Sequence, residues 1–172
     1  MVQGRRFEVA AVVAFVAALA GCGGALVSEA HPKVGGVLAP RTEMALDGAL
    51  VALPARGKVT LVDVWQTSCA PCVKVMPHLE QLHASRAARG LVVIGVAADD
   101  NPGLVQQRLR ELGVTYANVV DAEGTVRGAL GATALPTTLL VDRAGKVRLV
   151  REGGDDADVA AIDAGVDALL AE

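Results

Sequence analysis

Two short apolar runs joined by a helical stretch constrain this chain more than any other feature. Residues 58–65 (Lys-Val-Thr-Leu-Val-Asp-Val-Trp) and 91–97 (Leu-Val-Val-Ile-Gly-Val-Ala) are nearly continuous apolar segments of strand length. Over residues 70–89 the apolar positions fall at helical spacing, among them Val73, Met76, Leu79 and Leu82, and Gly90 stops the pattern. Strand, helix and strand in that order close a parallel pair through a right-handed crossover. A parallel pair needs cover on both faces, so the chain has to build a layered α/β domain.

The remaining segments extend that unit. Residues 42–46 and 49–53 flank Asp47-Gly48, a two-residue hairpin signal. Asn101 is an N-cap candidate with Pro102 at the first helical position, and that helix runs to about Leu112 before Gly113. Residues 116–120 read as a short strand and 125–130 as a brief helix. Residues 137–142 and 146–151 read as an antiparallel hairpin. A last helix over 156–170 starts among Asp155, Asp156 and Asp158, where acidic charge suits the helix dipole. The expected architecture is a mixed central sheet with helices on both faces and an added N-terminal β-hairpin. With one Trp, one Tyr and two Phe in 172 residues, Ala, Val and Leu must fill the core. A net charge of −3 without a basic stripe argues against a nucleic-acid partner.

The N-terminus follows different rules. Arg5 and Arg6 precede twelve unbroken apolar residues, 9–20. A bilayer core needs about 20 such residues, so the pattern describes an export signal rather than a span. Residues 19–22, Leu-Ala-Gly-Cys, resemble the bacterial lipobox, in which Cys22 is lipidated and becomes the mature N-terminus. An ordinary signal peptide cleaved near Ala20 is the competing reading. The expected division is a lipoprotein signal over 1–21, a flexible tether over 22–37 and one folded domain over 38–172. Membrane attachment through the lipid then places the domain on the extracytoplasmic or periplasmic side.

Cys69 and Cys72 are three residues apart, directly after a strand and at the start of a helix. That placement suits thiol-disulfide exchange. Free backbone N–H groups at a helix N-terminus stabilise a thiolate, the species that attacks disulfides. Pro71 at the helix start forfeits no hydrogen bond. Zinc is a poor alternative. Cys69, Cys72, His78 and His83 would share one helix, with Cys72 and His83 about 16 Å apart. A static disulfide closing so small a loop would stabilise weakly. A copper carrier would be expected to show a wider Cys spacing and a distant His, and outside this helix the sequence offers only His31. No cofactor or metal is expected.

Residues 62–72, Val-Asp-Val-Trp-Gln-Thr-Ser-Cys-Ala-Pro-Cys, resemble the thioredoxin active-site segment, with Trp65 four residues before the first Cys. Asp63 falls where that family has its buried acid, and Pro77 where it has a helix-kinking proline. Residues 135–146 are similar to the family's cis-proline loop and following hairpin. The lipobox, the N-terminal hairpin and an insertion over about 99–131 point to the TlpA/ResA-like branch. The resemblance implies a thioredoxin-like fold with Cys69 as nucleophile and Cys72 as resolving thiol. It also implies a cis Pro136 that, with Leu135 and Thr137, presents backbone to a substrate strand. Asp63 would move protons for Cys72, or be a strand-end Asp meeting water. Trp65 fits a lid beside the disulfide and plain core packing equally well. His78 and His83 are expected to be solvated.

Departures limit what carries over. Ser68 replaces the usual Trp before the first Cys, and Gln66-Thr67 replaces more common small or acidic residues. Ala70-Pro71 is neither a reductant's nor a strong oxidant's dipeptide. The expected function is an exported, membrane-anchored reductase of protein disulfides, kept reduced by a membrane thiol-disulfide donor. Apocytochrome haem-binding cysteines are the substrate class associated with this branch. A disulfide oxidase or isomerase, and a metal-chaperone or binding lipoprotein, are the alternatives. A peroxidase is disfavoured, because Gln66 stands where a Thr is expected.

Overall fold

A computed structural model describes residue 31 and residues 33–172. The signal segment, Cys22 and the tether up to residue 30 lie outside the described residues.

The two apolar runs form β3 (Val59–Trp65) and β4 (Leu91–Ala97), paired in parallel from Val59↔Leu91 to Trp65↔Ala97. Every residue of β3 is buried, as its position at the centre of the sheet requires. The crossover between them is α1 (Ala70–Arg86), followed by a 3₁₀ turn over Ala87–Arg89 and by Gly90 at φ 102°. The predicted helix over 70–89 thus tightens in its last turn.

After β4 come α2 (Pro102–Leu112), β5 (Ala117–Val120), α3 (Thr125–Leu130), β6 (Thr137–Val141), β7 (Val147–Glu152) and α4 (Asp156–Ala171). The sheet order is β5-β4-β3-β6-β7, with β6 antiparallel to both neighbours. The expected Asn101 cap forms, and in the acidic start of α4 Asp155 acts as a cap as well. Asn101 accepts the backbone N–H groups of Gly103 and Leu104 at 3.0 and 3.2 Å, and Asp155 accepts that of Asp158 at 2.8 Å.

Alternation along β3 separates two cores. Leu61 and Trp65 face α1, α2 and α4, whereas Val62 and Val64 face α3 together with Leu38 and Leu53. The mixed sheet with helices on both faces is therefore present as the sequence reading has it.

The N-terminal hairpin is β1 (Arg41–Met44) with β2 (Leu50–Leu53), a separate two-stranded sheet. Its turn differs from expectation. A two-residue type I′ turn needs φ > 0 at both central residues, and Asp47 does not have it. Instead Leu46, Asp47 and Gly48 make a three-residue loop, closed by Gly48 N–H to the Ala45 carbonyl at 2.9 Å, with only Gly48 in the left-handed region. Residues 33–37, read as tether, lie on the domain. Gly35 and Gly36 exchange backbone hydrogen bonds with Val147 at 2.8 and 2.9 Å, and Leu38 N–H reaches the Gly145 carbonyl at 2.9 Å.

Candidate active site

The site is built where β3 ends and α1 begins. Cys69 is the N-cap of α1, in extended backbone at φ −85° and ψ 96°. Its sulfur accepts the Cys72 N–H at 3.3 Å, and its carbonyl accepts the Val73 N–H at 3.1 Å. Cys69 thus occupies the position where unpaired helix N–H groups concentrate, and no acidic residue in the first turn opposes them. The two cysteines form a disulfide with Cα atoms 5.3 Å apart. They differ in access: Cys69 is half-buried, and Cys72 is 0% exposed. Pro71 lies in the first turn and Pro77 within the helix.

The Leu135–Pro136 peptide bond is cis, and so is Leu53–Pro54, which the sequence reading did not single out. Register places Pro136 at the site, because Thr137 pairs with Val64 and the next step leads towards Trp65. Thr137 is buried and its hydroxyl donates to the Ala134 carbonyl at 2.7 Å, bracing the loop. Leu135 is half-buried against both cores. Gly154 fills the remaining gap. A Cβ there would lie 2.7 Å from Val75 Cγ2, 3.2 Å from the Pro71 carbonyl oxygen and 3.6 Å from Pro136 Cγ.

Asp63 sits two residues below Trp65 on the face that carries α1. It is 1% exposed, and neither carboxylate oxygen has a hydrogen-bond partner among the described residues. Burial pushes its pKa up to about 7, with the facing Thr138 hydroxyl pulling less strongly the other way. The alternative of a strand-end Asp meeting water is excluded by this burial. Tyr116 is similarly enclosed. Its phenol is raised well above the ordinary value by burial first, and then by the charges of Asp63 and Glu80.

Trp65 is core and not a lid. It is fully buried, and its indole N–H donates to Asn118 Oδ1 at 2.9 Å. Asn118 also donates to the Tyr116 carbonyl at 2.9 Å, and its side chain lies over Gly95 on the neighbouring strand. Sequence reading missed Asn118. The isolated Gly95 inside an apolar strand was the available signal of a close approach. The histidine expectation is also corrected. His78 Nε2 lies 2.7 Å from Asp163 Oδ1 on α4, and His83 is half-buried with its ring edge-on to Tyr116 at a 6.2 Å centroid distance. Both are engaged at the seams where α1 meets its neighbours on the same face of the sheet, His78 towards α4 and His83 towards Tyr116. Among the described residues, no three His, Cys, Asp or Glu side chains are grouped to hold a metal ion.

A partly exposed cysteine at a helix N-terminus, a buried partner cysteine bonded to it and a cis-proline close to the first turn of that helix define a thioredoxin-like domain with a paired-cysteine site. The chain belongs to the redoxin family, whose model matches residues 28–166, and within it is a ResA-like, thioredoxin-fold member. It is 33% identical over 110 residues to the thiol-disulfide oxidoreductase ResA of Halalkalibacterium halodurans, covering 63% of this chain and 62% of that protein. It is 32% identical over 98 residues to the ResA of Geobacillus thermodenitrificans, covering 57% and 56%. The chain thus spans about three fifths of the length of the curated relatives it matches. Among solved structures, a candidate thiol:disulfide interchange protein DsbE from Chlorobium tepidum superposes with a TM-score of 0.75 at 28% identity, covering 80% of this chain and 97% of that one. The thioredoxin domain of a thiol-disulfide oxidoreductase from Bacteroides vulgatus gives 0.67 at 26% identity, covering 77% and 97%.

Proposed function

We propose that the protein is an exported, membrane-anchored thiol-disulfide oxidoreductase that reduces protein disulfides through Cys69 and Cys72. One observation carries this reading: a partly exposed Cys69 caps α1 while Cys72, bonded to it, is wholly buried. In the reduced protein the Cys69 thiolate attacks a substrate disulfide sulfur, and one substrate thiolate leaves. Cys72 loses its proton, with Asp63 as the acceptor, and attacks the Cys69 sulfur of the mixed disulfide. The second substrate thiol departs and the Cys69–Cys72 disulfide remains. Two electrons have passed to the substrate, and a membrane dithiol donor returns the pair to the thiol form. A carboxyl poised near pH 7 is suited to carrying that proton. Of the loop residues, Leu135 offers its backbone to the substrate strand, since the Pro136 carbonyl already accepts the Gly153 N–H at 3.0 Å and Thr137 is paired on both sides within β6.

Export and anchoring rest on the charged start, the short apolar centre and the lipobox-like residues ending at Cys22. The signal over 1–21 and the first part of the tether precede the domain proposed over 38–172, to which residues 35–37 are already bonded, and the haem-binding cysteines of apocytochromes are the proposed substrates. Cys72→Ser protein should accumulate mixed disulfides through Cys69, identifiable by mass spectrometry, and Cys69→Ser should abolish insulin reduction. Insulin reduction unchanged by Cys69→Ser would overturn the redox reading. A reduction potential near that of the oxidant DsbA, about −120 mV, would overturn the reductase direction alone.

A further inference from the structure

Thr67 lies two residues before Cys69, in the loop from β3 to α1, and it is held from outside that loop. Asp99 Oδ2 accepts the Thr67 backbone N–H at 2.9 Å, and Asp99 Oδ1 accepts the Thr67 hydroxyl at 2.7 Å. Asp99 is itself firmly placed. It follows β4 by two residues, and the Ala98 N–H donates to the Trp65 carbonyl at 2.8 Å, continuing the β3–β4 ladder. Within the loop the Cys69 N–H donates to the Gln66 carbonyl at 3.0 Å. The ends of the loop are therefore fixed by backbone, and its middle by one carboxylate. Hydrogen bonds to an ionised acceptor are shorter and stronger than neutral ones.

We propose that Asp99 is a positioning residue for Cys69, holding the Gln66–Ser68 loop so that the Cys69 sulfur sits at the α1 N-terminus. The inference rests on the reading of Cys69 as the attacking thiol. Its reach extends to one side of the site. Thr67 and Ser68 form one wall of a cleft of about 290 Å³, and Leu104, Gln107, Arg108 and Glu111 of α2 form the other. Asp99 bonds the Thr67 wall directly, and α2, which carries the other wall, starts three residues further along the same chain.

The test is the rate of Cys69 alkylation by iodoacetamide across pH, read by peptide mass spectrometry in full-length Cys72→Ser protein. Asp99→Ala and Thr67→Val should each change that rate by about fivefold or more and displace its pH profile, the scale expected when a reacting group is slightly misplaced. Thr67→Ser keeps both donors and should match the parent. Asp99→Ala within about twofold of the parent would overturn the proposal, as would Thr67→Ser behaving like Thr67→Val. If Asp99→Ala does not fold, Thr67→Val against Thr67→Ser decides. Insulin reduction insensitive to Cys69→Ser would overturn the functional reading alone, because alkylation still reports where the sulfur sits.

Discussion

Asp63 keeps a carboxyl in the interior of the sheet, where the facing Thr138 hydroxyl offsets only a small part of its desolvation, and stability should register this. Its folded pKa is about 7, against about 3.9 in an unfolded chain. Between those values the folded protein holds a proton that the unfolded chain has released. Stability therefore falls as pH rises from about 4 to about 7, and levels off above. At one pKa unit to about 1.4 kcal/mol, the burden at pH 8 is on the order of 4 kcal/mol. Asp63→Asn should be close to wild type at pH 4 and more stable by that order at pH 8, as read by urea unfolding at both values. An equal difference at the two pH values would show that Asp63 does not titrate in this window. A burden of this kind is retained where a buried acid has work to do.

Among elements, the β4–β5 contact is where the sequence was least legible. Gly95 and Asn118 are register partners, and a Cβ on Gly95 would lie 1.9 Å from Asn118 Oδ1. Gly95→Ala should therefore expel the Asn118 amide and leave the Trp65 indole N–H and the Tyr116 carbonyl without it. The cost should be about 2–4 kcal/mol, measured by urea unfolding. Trp65 is the one tryptophan in the chain, so its emission should shift as well. The βαβ unit, the helix caps and the closing hairpin were readable because periodicity and capping chemistry are local. Asn118 against Trp65, Asp99 against Thr67 and Thr138 facing Asp63 bring together residues 53, 32 and 75 positions apart. Such contacts depend on strand register, which no local pattern states. Cys69 and Cys72 were legible from their spacing and their place between strand and helix, Pro136 only through motif resemblance, and the burial of Trp65 was not.

Across the whole molecule, the N-terminal segment ties the two edges of the sheet together. Gly35 to Leu38 bond to the β6–β7 turn and the start of β7. Leu38 and Leu53 enter the second core, and Ala45 and Leu46 meet Val119 and Asn118 on β5 at the far edge. Both exposed edges are thereby blunted. The Gly35-Gly36 pair looked like a spacer because its attachment is through backbone alone. A chain beginning at Ala55 should lose about 10 °C or more in melting temperature and bind an apolar dye, since two core leucines go with the hairpin. Calorimetry on the two lengths would check it, and unchanged melting would show that the segment is dispensable.

The unequal burial of the two sulfurs also bears on traffic. With Cys72 sealed inside, donor and acceptor must use the same doorway at Cys69, one after the other. The proposed cycle then cannot hold both at once, so each competes with the other for entry. Its steady-state kinetics should be ping-pong, with parallel double-reciprocal lines, and excess of either partner should slow the turnover of the other.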